Sequence, residues 1–164
     1  MRLTLVEGDI TEQDVDAVVN AANTGMRGGG GVDGAIHRAG GPKVLEDCRR
    51  RFPHGLETGR AGWTTGGDLV AHWVIHVVGP NWNRGERERA LLTSCYANAL
   101  RVADELGART VAFPLVSAGA YGWPLDDAAA AAVETLRDTP TEVEEATLVS
   151  FGRRAHQAIS AALG

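Results

Sequence analysis

The chain has 164 residues, a formal net charge of −5, 44% apolar residues and 23% charged ones. That suits one domain spanning residues 1–164, with a core large enough to dispense with disulfides and structural metals. The acidic balance disfavours a whole-surface grip on nucleic acid, which needs clustered Lys and Arg.

In chain order, residues 3–7 read as a short strand that follows Met1-Arg2 directly, which leaves no signal peptide. Residues 15–19 read as a buried strand, followed by Asn20-Ala21-Ala22-Asn23 and a glycine-rich loop, 25–31. A helix is predicted over 32–52, bent or divided at Gly40-Gly41-Pro42. Residues 60–64 suit a short strand, and 73–78 (WVIHVV) a strong one ended by Gly79-Pro80. A long helix is predicted over 86–106, with Leu91, Leu92, Cys95, Ala99, Val102 and Leu106 near the helical period and Gly107 as its cap. Strand 110–116, loop 117–123, a helix opened by Pro124 and running to about Arg137, strand 146–151 and helix 155–163 complete the chain. Strands joined by helices predict an α/β fold in three layers, α/β/α, around a mixed, mostly parallel sheet. No apolar run is long enough to cross a membrane. Cys48 and Cys95 lack CxxC spacing, which argues against a metal knuckle or disulfide and fits reduced thiols in a cytoplasmic protein.

Ligands of open α/β sheets sit beyond the carboxyl ends of the strands, and three loops leave such ends here. Residues 20–33 (NAANTGMRGGGGVD) place four successive glycines before a helix. Backbone N–H groups there can approach an anion closely, and the helix N-terminus adds positive charge, which favours a phosphate or diphosphate. Residues 117–122 (SAGAYG) repeat the strand–loop–helix context and suit a second side of the same group. After the first strand comes Asp9, either an acceptor for an exocyclic amine or a helix N-cap, the residues alone favouring the cap.

Other chemistries do not assemble. Gly29, Gly31 and Gly34 satisfy GxGxxG, but residues 24–27 separate them from the strand. Where an acidic ribose ligand is expected, the sequence reads Arg49-Arg50-Arg51. That triplet reads as a solvated helix end. No Walker lysine follows the glycines, and Ser117 lacks a GxSxG context. His76 lies in an apolar run and reads as a satisfied core histidine, while His37, His54, His72 and His156 are too dispersed for a metal site.

The motifs GDIT (8–11), VDAVVNAAN (15–23), GGGGVDGAIHRAGG (28–41), VIHVVGP (74–80) and FPLVSAGAYGWP (113–124) occur in one order over nearly the whole chain. In this the sequence resembles the macrodomain family, and most closely its MacroD-type hydrolase branch. The resemblance implies a cleft for ADP-ribose. By position, Asp9 would hold the adenine amine, Ile10 would line that pocket and Phe151 would pack on the adenine ring. Gly30, Gly31 and Val32 would cradle one side of the diphosphate. Ser117, Gly119, Ala120, Tyr121 and Gly122 would cradle the other, and Asn20 joins the ligand-binding set. Asn23 and Asp33 are the implied catalytic pair, Asn23 on the distal ribose and Asp33 near the anomeric carbon.

The implied activity is removal of mono-ADP-ribose from acidic side chains of modified proteins, together with deacetylation of O-acetyl-ADP-ribose. Neither a metal nor another cofactor is required. The alternatives are a reader of ADP-ribose without turnover, and a hydrolase of ADP-ribosylated nucleic acid or ADP-ribose 1″-phosphate. Thr24-Gly25-Met26-Arg27 departs from the Ser and aliphatic residues usual in the branch, leaving Arg27 to meet either substrate or solvent. Ala118 and Ala120 are small and widen the distal pocket.

Overall fold

The computed structural model describes residues 1–164. Six strands, β1 (Arg2–Glu7), β2 (Ala17–Ala22), β3 (Ala61–Thr65), β4 (Trp73–Val78), β5 (Thr110–Phe113) and β6 (Glu145–Ser150), form one sheet in the order β1-β6-β5-β2-β4-β3. Only β3 runs antiparallel, paired with β4 at the sheet edge. The helices are α1 (Gly31–Gly40), α2 (Pro42–Arg51), α3 (Arg89–Leu106), α4 (Leu125–Asp138) and α5 (Arg153–Leu163). This is the mixed, mostly parallel α/β/α arrangement expected from the sequence.

Strand alternation assigns the two faces. Ala17, Val19, Ile75, Val77, Val111, Phe113 and Leu148 pack with Leu92, Tyr96, Ala99, Val133 and Ile159 of α3, α4 and α5. Val18, Val74, Ala112 and Val149 turn the other way, onto Ile36 of α1, and Ala22 and Val78 meet Val44 and Cys48 of α2. Each fully buried Leu, Ile or Phe contributes about 1.5–3 kcal/mol, so the larger cluster dominates the fold's stability. On the α1/α2 face this alternation also buries Asn20 and His76, which are register partners on β2 and β4.

The boundaries differ from expectation where side chains or proline intervene. β2 begins after Asp16, because Asp16 serves as a tie: its Oδ2 accepts Arg109 N (2.8 Å) and its carbonyl accepts His72 N (3.0 Å). The strand then continues through Asn20 to Ala22, beyond the predicted end. β5 stops at Phe113 rather than residue 116, since Pro114 has no N–H to give the sheet. The helix predicted over 32–52 is divided at Gly41 (φ 76°), with Pro42 opening α2. α3 starts three residues late because Glu86 accepts Asn81 N (2.8 Å) and Arg87 donates to Trp82 O (3.2 Å), holding both in the preceding turn. Pro124 is the N-cap of α4 rather than its first residue. No helix is long and apolar enough to cross a membrane.

Candidate functional site

Beyond the carboxyl ends of β2, β4 and β5 lies a cleft of about 270 Å³, lined by Gly29–Asp33 and by Leu115, Val116, Ser117, Gly119, Ala120 and Tyr121, with Ala21, Ala22, Asn23 and Gly79 completing it. Both segments are rows of main-chain donors. The N–H groups of Gly29, Gly30, Gly31, Val32 and Asp33 have no partner within the chain, and neither do those of Ser117, Ala118, Gly119, Ala120 and Tyr121. The first row ends in the opening turn of α1, where the helix dipole adds positive potential. Two rows of this kind make an anion cradle.

The second row is held in a strained shape by specific contacts. Ser117 has φ 65°, which a residue with a Cβ rarely adopts. Its hydroxyl donates to Pro80 O (2.7 Å) and its carbonyl accepts Trp123 N (2.9 Å). Gly79 makes room, since a Cβ there would collide with Ser117 Oγ and Val116. The loop's Ala120 and Tyr121 carbonyls accept Asn83 Nδ2 (3.0 Å) and Asn83 N (3.1 Å).

Asp33, 5% exposed, also lines the cleft. Its Oδ1 accepts Asn20 Nδ2 (2.7 Å) and lies 3.4 Å from His37 Nε2, one helical turn along α1. Asn20 is fully buried and does not border the cleft, which corrects its expected role in contacting ligand. The physical reason is strand alternation, which points it beneath Asp33. Its second amide hydrogen goes to His76 Nδ1 (3.1 Å), and His76 Nε2 meets Thr64 Oγ1 (2.8 Å), which itself donates to Thr65 O (3.1 Å). The chain of donors therefore leaves the His76 proton on Nε2. Burial, reinforced by the His37 charge, pushes the His76 pKa down to about 3. His76 is thus the satisfied core histidine expected. Cys48 Sγ lies 3.8 Å from His76 Nε2, but burial pushes its thiol up to about 11, so the pair is no thiolate–imidazolium dyad.

Gly29 sits between Asp33 and Asn23: a Cβ there would lie 3.1 Å from Asp33 Oδ2 and 3.3 Å from Asn23 Nδ2. Asn23 organises its own loop, its Oδ1 accepting Gly25 N (3.1 Å) and Met26 N (3.2 Å) and its Nδ2 donating to Gly28 O (3.1 Å). Met26 anchors the loop in the core at φ 58°. Arg27 reaches neither substrate space nor open solvent alone. Its guanidinium donates to Met26 O (3.2 Å) and Phe52 O (3.0 Å), tying this loop to the segment after α2. Tyr121 borders the cleft too, and its hydroxyl pKa is raised by burial and by Glu86 and Asp33, against the pull of Arg84.

The remaining expected residues lie outside the cleft's immediate border. Asp9 Oδ1 accepts Thr11 N (2.8 Å) and Thr11 Oγ1 (2.7 Å), capping the 3₁₀ turn Ile10–Glu12 in which Ile10 is buried. Phe151, just past β6, is 91% exposed. Gly122 has φ 77° and packs on the Asn83 carboxamide. The roles of His37 and Asn83 were missed in the sequence. The Asp33–His37 spacing of one helical turn was a usable signal for the first. A larger open groove of about 530 Å³ lies at the opposite end of β4, between α2 and Trp63, Thr65 and Trp73. Its arginines are already engaged: Arg50 (2.6 Å) and Arg51 (3.0 Å) bind Asp47, and Arg51 stacks 3.7 Å over Trp63. The arginine triplet is therefore partly structural, and the smaller cleft is the better ligand site because its donors are unspent.

Residues 19–132 match the Macro domain family model. The chain belongs to the macrodomain family. This macrodomain is 60% identical over 166 aligned residues to a Macro domain-containing protein of Streptomyces coelicolor, SCO6450, covering 99% of this chain and 98% of that one. Its fold matches the Oceanobacillus iheyensis macrodomain with ADP at 37% identity and a TM-score of 0.88, over 97% of this chain and 88% of the other. It also matches the Trypanosoma brucei macrodomain in complex with ADP-ribose at 35% identity and a TM-score of 0.90, over 99% and 69% of the two chains.

Proposed function

We propose that this macrodomain binds ADP-ribose and, as a MacroD-type hydrolase, removes it from acidic side chains, residues 1–164 acting as one unit. The observation that carries the reading is that two segments with unpaired N–H groups line one cleft, together with Asp33 and Asn23. A diphosphate satisfies both rows at once, and it is the central group of the ligand bound by the Trypanosoma brucei relative. Beside it, the distal ribose comes to Asn23 and Asp33.

Hydrolysis adds the oxygen of a water to the anomeric carbon as the bond from that carbon to the ester oxygen breaks. The side chain departs as a carboxylate, and Asp33 receives the proton from water. Asn20 and His37 hold the Asp33 carboxylate from behind, so its outer oxygen is oriented before substrate arrives. Asn23 fixes the ribose and supplies proximity. An acetyl ester on the same ribose meets the same groups, which supports action on O-acetyl-ADP-ribose.

The test is release of free ADP-ribose from a protein modified on Glu or Asp. Wild type should release it, and Asn23→Ala and Asp33→Ala should each slow release at least tenfold, about 1.4 kcal/mol of barrier. Asp33→Ala should leave ADP-ribose affinity within severalfold. Tight binding without release points instead to a reader, and equal loss of binding and turnover in Asp33→Ala sinks its catalytic role.

A further inference from the structure

The second donor row needs something to aim it, because a six-residue loop rich in Gly and Ala has no stiffness of its own. The connection between β4 and α3 supplies the contact. Asn83 lies in the 3₁₀ turn Trp82–Arg84, and that turn is tied from several sides. Arg84 N and Glu86 N donate to Asn81 O (3.1 and 3.0 Å), and Asn81 N donates to Glu86 Oε1 (2.8 Å). Trp82 packs edge-on against Trp123 at 5.0 Å and under Arg87 at 4.4 Å. Trp123 immediately follows the loop, so the turn and the loop share one anchor.

From this fixed turn Asn83 takes two successive carbonyls of the loop, those of Ala120 and Tyr121. In a trans peptide the C=O of one residue and the N–H of the next point in opposite directions. Holding the Ala120 carbonyl therefore turns the Tyr121 N–H away from Asn83. That N–H belongs to the unpaired row, and Tyr121 borders the cleft. The fit is close on the next residue as well, where a Cβ on Gly122 would stand 2.5–2.7 Å from the Asn83 carboxamide.

We propose that Asn83 is a positioning residue for the anion cradle, fixing the Ala120–Tyr121 peptide so that its N–H meets the ligand's diphosphate. The inference rests on the ADP-ribose reading for the identity of the ligand, but the role itself requires only a diphosphate. Asn83 does not touch the ligand; it acts through the peptide it holds.

The test is calorimetry of the full chain with ADP-ribose, inorganic pyrophosphate and adenosine, for wild type, Asn83→Ala and Asn83→Asp. The second variant keeps the size of the side chain and replaces the amide donor with an acceptor against a carbonyl. Both variants should bind ADP-ribose and pyrophosphate about tenfold more weakly, the scale of one lost hydrogen bond. Adenosine affinity and the ligand-free melting temperature should hold, because Asn83 is exposed and outside the core. Unchanged pyrophosphate binding in both variants overturns the proposal, as does an equal loss of adenosine binding. A wild type that takes pyrophosphate but not ADP-ribose ends the ADP-ribose reading, and the variants then decide Asn83's role on pyrophosphate alone.

Discussion

Gly31 opens α1 at φ 57°, and a Cβ built there meets nothing within 4 Å. Gly31→Glu therefore leaves the packed core alone and costs about 1–2 kcal/mol of backbone strain, while placing a carboxylate beside the first donor row. Calorimetry should show ADP-ribose affinity falling by two orders of magnitude or more, and unchanged binding would refute the cradle. Single residues differed in how readable they were. Asn23, Asp33 and the glycines stood in motifs whose spacing could be seen directly. The true position of Asn20 could not, because it depends on His76, which is 56 residues away and becomes its neighbour only when β2 and β4 pair. Arg27 was ambiguous for the same reason: its partner, the carbonyl of Phe52, belongs to a segment that α1 and α2 must first bring back.

α1 sits hard against the loop that precedes it. A Cβ on Gly34 would stand 2.6 Å from the carbonyl oxygen of Gly29. Replacing Gly by Ala inside a helix ordinarily gains up to about 1 kcal/mol. Here the methyl must push α1 off the loop, and overpacking against backbone costs about 1–3 kcal/mol. Gly34→Ala should therefore lower the urea midpoint and weaken ADP-ribose binding together; a raised midpoint would mean that α1 has slack against Gly29. The elements themselves were largely legible, because apolar periodicity and glycine or proline punctuation are local properties. β4 begins and ends where the sequence predicts. The errors at β2 and α3 came from side chains such as Asp16 and Glu86 that bind distant or flanking backbone and reset an element's start.

Across the whole molecule, the buried line from Asp33 through Asn20 and His76 to Thr64 joins the cleft to the edge strand β3. It also makes the fold sensitive to acid. His76 has its pKa depressed from 6.5 to about 3 when folded. Below pH 6.5 the unfolded chain accepts a proton that the folded chain refuses, so stability falls as pH drops through that window, by up to about 1.4 kcal/mol per pH unit. Asp47 contributes separately and lower. Burial raises its pKa, but Thr65 N and the two arginines outweigh that and hold it below the usual 3.8, so its share is lost only under stronger acid. Urea unfolding from pH 6.5 to 4.5 should give a steeper loss in wild type than in His76→Gln. Equal slopes would place the acid sensitivity elsewhere. The three-layer arrangement was readable from the order of strands and helices, but this polar seam within the sheet was not, since Asn20 and His76 each look like isolated polar residues among apolar neighbours.

The two rows of unspent donors carry a consequence for how the protein behaves in any ordinary solution. Main-chain N–H groups without an internal partner attract whatever oxyanion is at hand. Phosphate or sulfate in a buffer is then a competitor that any anionic ligand of the cleft must displace. An affinity measured in phosphate or sulfate buffer should therefore tighten as that anion is diluted away, as mass action requires of any competitor.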